Sequence, residues 1–139
     1  MATFNKINQF TEDLAEKVHN LGADALTVAL TAAANAPVAT NSVLANLTQI
    51  SYTNLSSRAI STSASAQSTG TYKLTLTDLV LTASGTVAAF RYVVIYNDTP
   101  TSPADPLIGW YDYGSDLTLL NGETFTIDFD GSNGVLQIA

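Results

Sequence analysis

Across residues 4–21 the apolar positions Phe4, Ile7, Phe10, Leu14, Val18 and Leu21 recur three or four apart, with Thr11 able to share the Phe10 place. That spacing aligns them on one stripe of a helix. Thr3 stands where an N-cap would accept from the first turn, and Lys17 and His19 fall in the last turn, where cations suit the macrodipole. Gly22 supplies the stop. Beyond it the period changes to two. In "ALTVALTA", Leu26, Val28 and Leu30 alternate with Ala and Thr, the pattern of a strand with one buried face. The segment "NAPVATNSVLANLTQ" reads as a loop with a helical turn near 42–47. Further strands are expected at 49–53, 58–67, 71–82, 86–97, 107–113, 117–120, 124–130 and 135–138. Turn chemistry separates them: "SASAQSTG", "ASG", "NDTPTSPADP", "DYGSD", "NG" and "DGSNG".

The alternation slips once inside "TYKLTLTDLVLTA". Tyr72, Leu74 and Leu76 hold even positions, Asp78 takes the next even one, and Leu79 and Leu81 continue on odd positions. A one-residue change of phase marks a β-bulge or a strand that leaves one sheet for another. The pattern as a whole predicts a mainly β chain, an antiparallel β-sandwich or jelly-roll-like domain of about eight strands with an N-terminal amphipathic α-helix. Residues 1–22 are expected to form a helical arm hinged at Gly22, and residues 23–139 the sandwich.

Composition narrows the function classes. The chain has 139 residues, enough for one ordinary domain. Only 12% of them are charged, about half the usual share of a soluble domain, so Ser and Thr make up much of the surface. Such a surface suits a protein packed against neighbours. The net charge is −7, and Lys6, Lys17, Arg58, Lys73 and Arg91 are scattered, without the basic cluster that nucleic-acid binding requires. The same sign disfavours anionic membranes. Residues 1–21 lack the apolar run of a signal peptide, and "ALTVALTAAANA" is too short and too polar to span a bilayer, so no membrane partner is expected. No cysteine is present, which removes disulfides, thiol nucleophiles and zinc–thiolate sites.

Candidate chemistry concentrates in "DPLIGWYDYGSD", residues 105–116. Asp112 and Asp116 could be read as a glycosidase pair, which stands about 5 Å apart in retaining and about 6.5–9.5 Å apart in inverting enzymes. Both, however, flank the turn expected at Gly114. Trp110 and Asp112 share one face of the strand, and Gly109, Tyr111 and Tyr113 the other. Aromatics so placed serve core and cross-strand packing more readily than a sugar platform. His19, the single histidine, has no nucleophile context around it. In "DFDGSNG" the glycines fall at the fourth and seventh places, where a calcium-binding EF loop needs one at the sixth; a tight hairpin explains it better. No catalytic residue, metal or cofactor is expected. The sequons at Asn46, Asn54 and Asn97 are ordinary products of a Ser/Thr-rich chain.

The segments "KVHNLG", "ISYTNLSSR", "GTYKLTLTDLVLTASG", "FRYVVIYND", "PLIGWYDYGSD" and "FTIDFDGSNGVLQIA" resemble a family of small virion structural proteins of tailed bacteriophages. The resemblance implies a capsid decoration, or cement, protein made in the bacterial cytoplasm and carried on the phage head. Its partner would be the major capsid protein, and it would act as a homo-oligomer, a dimer or trimer matching capsid axes. Phe4, Ile7, Phe10 and Leu14 are the interface candidates, joined by Trp110, Tyr111 and Tyr113; the proline-rich loop 97–106 is a weaker one. The alternatives are a tail or baseplate component, and a carbohydrate-binding or host-attachment module built on Trp110, Tyr111 and Tyr113.

Overall fold

The computed structural model describes residues 1–139. The chain is mainly β, with ten strands in three antiparallel sheets and one α-helix. The largest sheet runs β1 (Asn5–Lys6), β8 (Leu107–Leu117), β7 (Phe90–Asn97), β2 (Leu26–Thr31), β3 (Ala59–Ile60). A second runs β10 (Leu136–Ile138), β5 (Thr71–Leu76), β4 (Thr62–Ser68), and a third pairs β6 (Leu79–Thr82) with β9 (Thr124–Ile127). All three contribute to one apolar core, which also takes in Ile7, Phe10 and Leu21. No helix is long and apolar enough to cross a membrane.

The N-terminal segment departs from the expected helix. Residues 5–6 pair with β8, Asn5 opposite Trp110 and Lys6 opposite Gly109, so the stripe begins extended. The helix, α1, covers only Asn8–Ala15. Ile7 occupies the N-cap place with extended φ and ψ, and its N–H donates to the Ile108 carbonyl at 3.0 Å; Thr3 caps nothing. The stop comes early. Lys17 takes a left-handed φ of 66°, and the Val18 N–H closes back on the Asp13 carbonyl at 2.8 Å. Lys17 thus does what Gly22 was expected to do, and His19 lies beyond the helix. Nor does Gly22 separate an arm from the rest, because Ile7, Phe10 and Leu21 share the core with β2, β7 and β8. The ladder to β8 and burial of two large side chains outweigh local helix preference here.

The centre of the molecule is β2 against β7, paired from Leu26–Asn97 to Thr31–Tyr92. All six residues of β2 are buried, not one face alone. Leu44, Leu47, Ile50 and Tyr52, from the connection between β2 and β3, pack against the same core. That connection explains why residues 49–53 form no strand. Where β3 ends, the open edge of β2 is closed piecemeal: the Leu30 N–H donates to the Tyr52 hydroxyl (3.0 Å), and the Ile50 N–H to the Leu30 carbonyl (3.0 Å). The Arg58 guanidinium donates to the Val28 carbonyl and stacks 3.6 Å from the Tyr52 ring centroid. Buried backbone groups are satisfied without a ladder.

The phase slip at Asp78 is a change of sheet. β5 belongs to the three-stranded sheet and β6 to the two-stranded one, and the Asp78 carboxylate between them accepts the Phe129 N–H at 2.9 Å. The turn expected at Gly114 is absent. β8 continues to Leu117 and absorbs Tyr113–Asp116 as an irregularity between its Tyr92–Asp112 and Phe90–Leu117 pairs. Gly114 makes this possible with φ +99°, a value L side chains rarely adopt. The "DFDGSNG" turn joins β9 to β10, strands of different sheets, so it is no hairpin.

Candidate functional site

The alternation along β8 splits its aromatic residues between two faces. Tyr111 and Tyr113 turn toward β9, where Phe125 and Ile127 share one side of the strand. With Val93 of β7 they line a groove of about 400 Å³, and Met1, Ala2, Thr126 and Asp128 complete its wall. Gly109 prepares this region: a Cβ there would run into the ring of Phe4 and stand 2.7 Å from the Asn5 carbonyl oxygen. Without it, Phe4 lies across β8 and meets Tyr111 at 5.4 Å between centroids. Tyr111 also faces Phe129 at 6.5 Å, and Tyr113 stands edge-on to Phe125 at 5.3 Å and 90°. Burial, then the nearby Asp130 carboxylate, pushes the Tyr111 phenol up to about 12.

This grouping reorders the sequence-expected site. Phe4, Tyr111 and Tyr113 come together. Ile7 and Phe10, at 0% and 3% exposure, are spent in the chain's own core and offer no surface to a partner. Leu14 is half-buried against that core. Trp110 looks the other way, half-buried opposite Val94, with its carbonyl accepting from the Asn5 side chain at 3.3 Å. The tyrosine and phenylalanine rings are tilted or perpendicular to one another, so they make no flat platform of the kind that stacks on a sugar ring. Phe125, Ile127 and Val93 were missed as site residues. Their alternation was visible in the sequence, but their position across from β8 is tertiary.

The carboxylates of the same stretch are engaged structurally. Asp112 takes both arms of the Arg91 guanidinium, at 2.8 and 2.9 Å, and the Gly114 N–H at 2.7 Å. Those bonds, Arg91 first, hold its carboxyl below the usual range. Asp116 accepts the Ala33 N–H at 3.0 Å. Asp130 folds the 130–134 turn around itself, accepting the N–H groups of Ser132 and Asn133 at 2.8 Å each, and its carboxyl is likewise lowered. No three His, Asp or Glu side chains are grouped as metal ligands would be.

His19 is buried rather than poised at a helix end. Its Nδ1 lies 3.2 Å from the Asn97 amide nitrogen, which also donates to Asp24 at 2.6 Å, and its ring sits 5.1 Å from that of Phe10. An amide donor at Nδ1 assigns the neutral ring's proton to Nε2. Burial pulls the His19 pKa down, against the weaker upward pull of Asp13 and Asp24. No hydroxyl nucleophile meets it. Compared with protein-family models, curated proteins and solved structures, the chain matches none.

Proposed function

We propose that this chain is a bacteriophage virion structural protein of the capsid decoration type, a sandwich-like β domain that binds the major capsid protein in many copies on the outside of the head. One observation carries the reading furthest. Asp112 and Asp116, the two carboxylates that a glycosidase would need free, are bound to Arg91, Gly114 and Ala33. The aromatic rings beside them stand tilted or edge-on to their neighbours and form no flat platform. What is left to function is surface: low in charge, rich in Ser and Thr, and supported by one core. The sequence resemblance points the same way.

Decoration works through added buried area across capsomer boundaries, which favours the intact shell over its ruptured state. Modest affinity per copy suffices, because lattice neighbours raise the effective concentration of every further contact. Burial of Ile7 and Phe10 moves the docking surface away from the N-terminal stripe. The groove at Tyr113 and Phe125 replaces it, Tyr113 being 51% exposed. The loop 97–106 is a second contact, held by the Thr99 N–H on the Asn97 side chain at 3.1 Å and by a bridge between Thr101 and Ala104. A loop already ordered loses little entropy on docking.

Quantitative densitometry of purified virions tests the proposal. The chain should be present in numbers comparable to the major capsid protein. Copy numbers typical of a tail tip would transfer it to the tail or baseplate, and absence from the particle would end the virion reading.

A further inference from the structure

Most sheet edges in this molecule are short, covered or irregular. Beyond Trp110 the outer side of β8 has no strand partner, but that stretch is broken by the irregularity at 113–116 and carries Asp112 and Asp116. β1 and β3 have two residues each and β10 three, while the 54–56 segment lies along β6, with the Ser56 N–H on the Thr82 carbonyl at 3.0 Å. β9, the remaining edge of the small sheet, borders the aromatic groove. β4 is different. Its seven residues form the outer strand of the three-stranded sheet, and six of them pair with β5 on one side only. No backbone hydrogen bond reaches its other side.

The register fixes which groups are free. The hairpin turns through Thr69 and Gly70, both with positive φ, so Ser68 and Thr71 close it as a hydrogen-bonded pair. Alternation then directs the N–H and C=O of Ala66 and Ala64 to β5, and those of Ser65 and Gln67 outward. Natural edges are normally guarded by a lysine, a proline or an inward charge. Here "TSASAQS" has none of these, and no charged residue occurs anywhere from Ala59 to Tyr72. The one irregularity, a register shift between Thr62 and Ala64, leaves 64–68 regular.

We propose that β4 is a dimerisation edge, pairing antiparallel with β4 of a second copy about a two-fold axis at Ala66. The open groups then match themselves. Ser65 of each copy exchanges hydrogen bonds with Gln67 of the other, and Ala66 faces Ala66 in the close, non-hydrogen-bonded pair, where its small side chain obstructs nothing. Ala64 and Ala66 are exposed on the outer face, so joining two copies disturbs no core contact. Charge selects the occupant. Two chains of net charge −7 repel each other overall, and along this edge, uncharged from Ala59 to Tyr72, approaching copies bring no like charges opposite each other. The nearest is Lys73, one strand away. An isologous pairing closes on itself, so it stops at two.

The pairing belongs to the free chain, and its test stands apart from the virion reading. In sedimentation experiments the wild-type chain should be a dimer. Ala66→Lys and Ala66→Glu each place like charges face to face and should weaken the dimer by about fivefold or more, while an equimolar mixture of the two restores it. In this cysteine-free chain, Ala66→Cys should become a disulfide-linked dimer under mild oxidation. Both charge variants place their side chains on the outer face, and circular dichroism of each is the check that it folds. A wild-type monomer at the highest soluble concentration, a trimer, or a dimer indifferent to both charges would overturn the proposal.

Discussion

The strand pair β2–β7 and the hairpin β4–β5 are both antiparallel, and they behave as opposites. Every residue of β2 is buried, and in β7 only Arg91 and Tyr92 reach solvent. In β4 no residue is fully buried, and in β5 only Leu74 and Leu76 are. The difference is written in side-chain choice. "LTVALT" and "FRYVVIYN" are β-branched, aliphatic and aromatic, whereas "TSASAQS" has nothing larger than glutamine. One region holds the fold and the other lies open to solvent.

The sharpest way to break that contrast is at its buried end. Phe90→Ala removes a fully buried ring that stands edge-on to Phe125 at 5.4 Å. It should cost about 3–5 kcal/mol in urea unfolding followed through Trp110, the only tryptophan. A loss below about 1 kcal/mol would show that the five-stranded sheet does not anchor the molecule. Gly109→Val is next. Its side chain would strike Phe4 and the Asn5 carbonyl, lifting β1 from β8 at a cost of about 1–3 kcal/mol. Loss of protection at the Ile7 amide, measured by hydrogen exchange, would locate the damage; unchanged protection would mean that β1 accommodates the bulk.

His19 gives a smaller, pH-dependent effect at the rim of the same core. Burial lowers its pKa from 6.5, so below that value the unfolded chain binds more protons than the folded one. The contribution of neutral His19 is therefore complete above about 6.5 and is lost as the pH falls through the depressed value. His19→Gln should flatten the stability profile in that window, and an unchanged slope would assign it to other groups. The smallest effect belongs to β4. Ala64→Lys, on its exposed face, should shift unfolding by no more than about 0.5 kcal/mol. A larger change would mean that this edge is more than a surface.

Much of this division was legible in the sequence. Period two located β2, β5, β7 and β9, and the slip at Asp78 marked the passage between sheets, because alternation is a local signal of which face is buried. Three features escaped for one reason, that their cause is remote in sequence. The Phe4–Leu14 stripe fits a helix on its own, but β8, about a hundred residues on, draws Asn5 and Lys6 into a ladder. "DYGSD" has the composition of a turn, yet Asp112 is fixed by Arg91 and the strand runs through. Residues 49–53 have strand-like composition and instead cap β2 through Tyr52 and Ile50. The candidate site divides similarly. The common face of Tyr111 and Tyr113 follows from alternation; their meeting with Phe4 and Phe125, and the loss of Ile7, Phe10 and Trp110 from the group, follow from packing.

The contrast between a buried anchor and an open edge is tested most directly by hydrogen exchange of the free chain at low and high concentration. Amides of β2 and β7 should belong to the slowest class at both. Those of Ser65 and Gln67 should exchange freely when the chain is dilute and slow when it is concentrated. If β4 stays unprotected at every concentration, or β2 and β7 exchange as fast as β4, the account is wrong.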